Sequence, residues 1–190
     1  RYSEDAAYHD YLSTYSGIRT LHYQGKTWIL WSAAQGSGKG AAVMMAPWNG
    51  KLGKWSSIPL ETLPPARNAL PNGIAVDDTH GRPCLYVVLN GNNELIKIDW
   101  LQRKQLWSVP TGVAPYGVCL SGNRVFVSNW AGPQATDSSR ERAGVPWGLA
   151  YTDPRTGATA EGSVSVFRAD KGTALASVAV IAAAVAVIAY

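Results

Sequence analysis

The chain has 190 residues and a net charge of +4, enough length for one domain with its own core. Charged residues make up only 16% of it, and the basic ones are scattered without runs, so there is no nucleic-acid footprint. Eight Trp and nine Tyr stand beside two Phe, with 19 Gly and 11 Pro, which fits many short strands joined by turns and not a helical bundle. Cys84 and Cys119 belong to no CxxC pair and make no disulfide framework. They read as small hydrophobes. The opening RYSEDAAYHDY carries no signal-peptide pattern, and a mature or truncated N-terminus is expected.

Residues 1–17 read as an N-terminal remnant. The first strand expected is aromatic-led, Trp28-Ile29-Leu30-Trp31-Ser32. AAQGSGKGAA follows at 33–42 and places Lys39 among glycines, as a phosphate-cradling loop would. Such a loop needs Gly, four residues, then Gly-Lys and a hydroxyl residue. Ala33 stands where the first Gly belongs, and Gly40 stands where the hydroxyl belongs. The stretch is therefore read as a turn leading into the strand Ala42-Val43-Met44-Met45. Trp55-Ser56-Ser57-Ile58-Pro59 is the next strand.

From residue 71 a repeat is visible. Pro71-Asn72-Gly73-Ile74-Ala75-Val76 recurs as Pro115-Tyr116-Gly117-Val118-Cys119-Leu120. Each is followed by a turn and an aromatic-led strand, Tyr86 to Asn90 and Phe126 to Trp130. Glu94-Leu95-Ile96-Lys97-Ile98-Asp99 alternates apolar and polar residues, the period of a half-buried strand. Leu106-Trp107-Ser108-Val109-Pro110 echoes Trp55 to Pro59. The third unit reaches Gly162 to Phe167 and Ala176 to Val180, and carries an insert over 131–161. A unit of about 40–50 residues with four short strands is the signature of a propeller blade. The fold expected is all-β, an incomplete β-propeller of four-stranded antiparallel blades over 18–60, 71–110 and 115–180.

PNGIAVDD, LYVVLNGNNELIKIDW and WSVPTGVAPYGVCLSGNRVFVSNW together resemble the YVTN-type, YncE-like propeller repeat. The third unit, with VFVSNWAG, then Thr136-Asp137-Ser138-Ser139, then Thr152 to Gly157, then GSVSV, is similar to a subgroup. Members of that subgroup precede an alkaline-phosphatase-like phosphoesterase domain in one longer chain. The resemblance covers about Trp28 to Val180. It implies a periplasmic or extracellular location. Family propellers usually have seven blades, so the resemblance also implies a fragment, completed by other blades or domains of the same protein or by a partner protein.

Candidate binding residues fall into two groups. Asn90, Asn92, Asn93 and Asn129 suit turns, because Asn tolerates positive φ and bonds its own backbone. With Trp130 they also suit one face of a propeller, where loops gather and a ligand can bind. The insert is the stronger candidate, since loops of that length are usually functional or disordered. Within it Arg140 and Arg142 suit an anionic group, and Asp137 and Asp153 a cation. Arg155 lies in the turn signal Asp153 to Gly157. The bland alternative is an ordered loop packed on its neighbour. His9, His22 and His80 are isolated, and no serine has a paired base. No catalytic residue, metal or cofactor is assigned.

The uncharged stretch from Ala174 to Tyr190 continues the last strand through Val180. Its remainder, 181–190, is open between further strands and a short membrane anchor. The leading expectation is a non-catalytic binding or scaffold module. The alternatives are the propeller part of a phosphoesterase and an accessory subunit of a membrane complex.

Overall fold

A computed structural model of the chain describes residues 11–35, 40–145 and 148–180. Among the described residues every regular element is a strand. Sheet one consists of β1 (Tyr11–Tyr23), β2 (Lys26–Gln35), β3 (Ala41–Trp48) and β4 (Ser56–Leu60). Sheet two consists of β5 (Pro71–Asp77), β6 (Cys84–Leu89), β7 (Glu94–Asp99) and β8 (Lys104–Pro110). Sheet three begins with β9 (Pro115–Ser121) and β10 (Arg124–Asn129). A small hairpin interrupts it, β11 (Arg142–Val145) with β12 (Gly148–Tyr151). It is completed by β13 (Gly162–Arg168) and β14 (Ala174–Val180). All pairings are antiparallel between neighbours in sequence, apart from the jump from β10 to β13 over the hairpin.

The first strands lie side by side, β1 against β5 and β5 against β9, so the sheets fan outward from them. Two apolar layers hold the fan together. Between sheets one and two sit Leu21, Leu30, Val43, Met45 and Ile58 against Ile74, Leu85, Val87, Ile96 and Ile98. Between sheets two and three, Ala75, Tyr86, Val88 and Leu95 meet Val118, Val125, Val127 and Phe167. Strand alternation produces this directly: Val87 points to sheet one, while Tyr86 and Val88 point to sheet three.

β1 begins at Tyr11, within the stretch 1–17 expected as an N-terminal remnant, and pairs with β2 from Tyr11↔Gln35 onward. The register of that pair shifts between Ser13 and Ile18. Such a bulge breaks the alternation by which a strand is recognised. Residues 181–190, the rest of the apolar tail, lie outside the described residues. Among those that are described, no helix is long and apolar enough to cross a membrane.

One glycine fixes how closely the connection before β5 runs past the β6–β7 turn. Gly91 N–H donates to the Ala69 carbonyl at 2.8 Å, and a Cβ on Gly91 would run into the Asn68 carbonyl oxygen. Gly91→Ala is expected to destabilise the fold by about 1–3 kcal/mol, the usual cost of overpacking. Gly144→Ala, where a Cβ meets nothing within 4 Å, should stay within about 0.5 kcal/mol in the same urea-unfolding measurement.

Candidate functional site

Alternating strand directions bring the 61–70 loop, the 90–93 turn, the 111–114 connection and the insert to one end of the fan. All the candidate residues are therefore at that end. Lys39 lies outside the described residues. The strands on either side of it, β2 and β3, pair as a hairpin, and the chain after it enters a strand. A phosphate loop would lead into a helix, so the architecture agrees with the spacing test.

The three asparagines of the 90–93 turn reach across to neighbouring segments. Asn90 Nδ2 donates to the Pro115 carbonyl at 3.1 Å. Asn92 Oδ1 accepts from Leu63 N–H at 3.1 Å, while its Nδ2 donates to the Glu61 carbonyl at 3.0 Å. Asn93 has φ of 54° and accepts from Ala114 N–H at 2.9 Å. These bonds tie sheet two to the chain just before it and just after it. They answer for backbone groups that lack ladder partners.

Asn129 is of another kind. It is fully buried, and its Nδ2 donates to Ser163 Oγ at 3.0 Å and Ser165 Oγ at 2.9 Å. Its Oδ1 is buried without a partner. Register equates Asn129, Ser163 and Ser165 with Leu89, Glu94 and Ile96 of sheet two. Two aliphatic positions of one blade have thus become polar in the next. Ser163 and Ser165 escaped the sequence reading. The signal that would have found them is this break in the repeat. The trio holds no titratable group, so it can donate and accept hydrogen bonds but offers no general base.

The insert is ordered where it is described. Val113 of the 111–114 connection packs with Ala131 and Ala150 of the insert in a small buried cluster. Ala135 N–H donates to the Leu149 carbonyl at 3.0 Å, and Asp137 N–H donates to Tyr151 Oη at 2.9 Å. The Arg140 guanidinium lies 3.7 Å from the Tyr151 ring centroid and bonds Glu161 Oε1 at 2.9 Å. Asp137 Oδ1 accepts from the Ser139 hydroxyl at 2.7 Å and from its N–H at 2.9 Å. Those two bonds hold the Asp137 carboxyl below its ordinary pKa. Asp153 Oδ1 accepts from Arg155 N–H at 2.7 Å, and this bond lowers its pKa in the same way. Both aspartates thus cap turns. Arg142 is exposed on β11. Trp130 is 47% exposed and tilts against Tyr116 with ring centroids 5.5 Å apart; Leu149 is 42% exposed.

The structure thus gathers Asn90, Asn93, Asn129 and Trp130 around the junction of sheets two and three. Asp137 and Arg140 lie together on the insert, and Asp153 with Arg155 forms a separate turn. Among the described residues no three His, Cys, Asp or Glu are placed to hold a metal.

No family model and no curated protein matches the sequence. Among solved structures, a chain of the nidogen/laminin complex matches with a TM-score of 0.51 and 15% identity, over 85% of this chain and 45% of that one. The GH43 endo-arabinanase from Bacillus licheniformis matches with a TM-score of 0.36 and 12% identity, over 80% and 50%. The β-propeller domain of Myceliophteria thermophila Cps50 (Swd1) matches with a TM-score of 0.34 and 10% identity, over 78% and 55%. Of these three, the first reaches the level of a shared fold. The chain spans about half the length of the solved chains it resembles.

Three stacked four-stranded antiparallel sheets, fanned from their first strands, define the class: an all-β, incomplete β-propeller. That fold is compatible with a binding or scaffold module.

Proposed function

We propose that the chain is a non-catalytic binding module of the YVTN, YncE-like type, working in an extracytoplasmic compartment. Its loop end, with the insert, meets a partner domain or protein. One observation carries this reading. The insert is anchored from below by Val113, Ala131 and Ala150, yet this end presents Trp130 and Leu149 to solvent. Large apolar side chains held on a rigid, polar-rimmed platform are what a partner surface buries. Arg142, Arg155 and the Arg140–Glu161 pair supply the rim. The resemblance of the third unit supports an alkaline-phosphatase-like phosphoesterase domain as that partner.

The double variant Trp130→Ala/Leu149→Ser tests the proposal. Partners would be recovered by cross-linking to the wild-type chain, and their affinities measured by calorimetry. The variant should unfold within about 0.5 kcal/mol of wild type, as surface changes do. Its affinity for the recovered partner should fall at least roughly tenfold, the loss of one modest anchor. Unchanged affinity would remove the loop end as the binding surface.

A further inference from the structure

The chain holds three Asn-Gly pairs, Asn49-Gly50, Asn72-Gly73 and Asn90-Gly91. In such a pair the glycine has no Cβ to shield its nitrogen, so that nitrogen can reach the asparagine carboxamide carbon. The fold decides whether it does. Asn72 lies on β5 and is 9% exposed, and Gly73 is packed so closely that a Cβ on it would meet the Tyr116 carbonyl oxygen at 2.8 Å. Asn90 commits its Nδ2 to the Pro115 carbonyl at 3.1 Å, and Gly91 commits its N–H to the Ala69 carbonyl at 2.8 Å. In both pairs the reacting groups are held by the sheets.

Asn49-Gly50 sits in the connection from β3 to β4 and differs on each count. Residues 48–54 are all exposed. Gly50 has φ of 92°, and a Cβ on it would meet nothing within 4 Å. Among the described residues, neither the Asn49 carboxamide nor the Gly50 N–H has a hydrogen-bond partner within the chain. The exposure belongs to the connection itself. Its counterpart in sheet two, Leu101 to Lys104, is exposed as well, although that sheet is packed on both faces.

We propose that Asn49 is a site of spontaneous deamidation, which converts it to aspartate and isoaspartate. The Gly50 nitrogen gives up its proton to solvent base and attacks Asn49 Cγ. The N–Cγ bond forms, the Cγ–Nδ2 bond breaks and ammonia leaves, closing a succinimide. Water then opens the ring. Attack at Cγ restores the ordinary backbone with aspartate at 49. Attack at the main-chain carbonyl carbon leaves Gly50 joined through the side chain, as isoaspartate. Either product lowers the net charge of +4 by one, in a connection whose own charges are those of the exposed Lys51 and Lys54. Isoaspartate also lengthens the main chain by one carbon. The Trp48↔Leu52 bridge and the Gly53 N–H bond to the Pro47 carbonyl at 2.8 Å, which close this connection, must adjust to it.

Peptide mapping by mass spectrometry tests this, after the folded chain has stood for days in mildly alkaline buffer. Conversion of amide to acid should be at least roughly tenfold faster at Asn49 than at Asn72 or Asn90, because those two react only when local structure opens. In urea the three should react at similar rates. Both aspartate and isoaspartate should appear at 49, and Asn49→Gln, which would have to close a larger ring, should remove the fast conversion. Equal rates at the three sites of the folded chain would overturn the inference, and so would a preference for Asn49 that persists in urea. So would aspartate as the sole product at 49, since that means hydrolysis without attack by Gly50.

Discussion

Tyr86→Ala is expected to cost about 3–5 kcal/mol in urea unfolding, the range for removing a buried aromatic ring. The ring is 1% exposed in the layer between sheets two and three, tilted against Trp107 with centroids 6.0 Å apart. Lys97 Nζ stands 5.1 Å above it, a geometry in which the ring attracts the cation. The phenol donates to the Ala169 carbonyl at 3.1 Å, and Lys97 Nζ donates to the same oxygen at 2.9 Å. Truncation therefore opens a cavity and loosens the β13–β14 turn of sheet three. Burial above all pushes the phenol pKa well above its ordinary value, with Cys84 and the nearby aspartates acting in the same direction, so it stays a donor. Tyr86→Phe keeps the ring and should lose only about 1 kcal/mol, the worth of one hydrogen bond. Equal losses for the two variants would show that the hydroxyl, and not the ring, is what matters.

Asp99→Asn is the second large effect, about 2–3 kcal/mol at neutral pH, because the lost bonds are charge-assisted. Asp99 is fully buried at the end of β7. Its Oδ2 accepts from Arg82 Nε at 2.7 Å, and its Oδ1 accepts from Gln102 N–H at 2.9 Å. Burial alone would raise its pKa. The bonds from Gln102, Arg82 and Leu101 outweigh burial and hold it below the ordinary carboxylate value. A carboxyl lowered in the folded state stabilises the fold above its unfolded pKa of about 4, and that contribution is lost as pH falls through the folded value. The gap between wild type and Asp99→Asn should therefore be full at pH 7 and narrow steadily below about pH 4. A gap that stays constant into acid would mean that packing, not charge, carries the effect.

Sheets two and three were legible because their strands repeat. Pro71 to Val76 and Pro115 to Leu120 announce one element twice, and the alternation in Glu94 to Asp99 reports which side is buried. β1 was not legible, since no Pro-x-Gly lead marks it and its bulge between Ser13 and Ile18 interrupts the period. The hairpin in the insert was missed for a different reason. Arg142–Val145 and Gly148–Tyr151 are too short for a pattern, and they pair through the fold-back that the Val113–Ala131–Ala150 cluster makes possible. The asparagines show the limit most clearly. Residue type indicated a turn, but Asn90 bonds Pro115 and Asn92 bonds Glu61 and Leu63, partners that local sequence does not reveal. Asn129 was a candidate by residue type, but its partners Ser163 and Ser165 were passed over, because likeness between units points to what they share and these positions are where they differ.

Those asparagine bonds also decide how the molecule comes apart. Sheet two is gripped on one side at residues 61–63 and on the other at 114–115, besides being packed on both faces. β14, at the outer edge of sheet three, can fray without disturbing either grip, whereas β4 runs directly into residues 61–63 and is held with them. The middle sheet can open only when both neighbours have let go. It therefore acts as the keystone: its inner strands exchange with solvent through global unfolding, while the outer edge of sheet three exchanges through local opening.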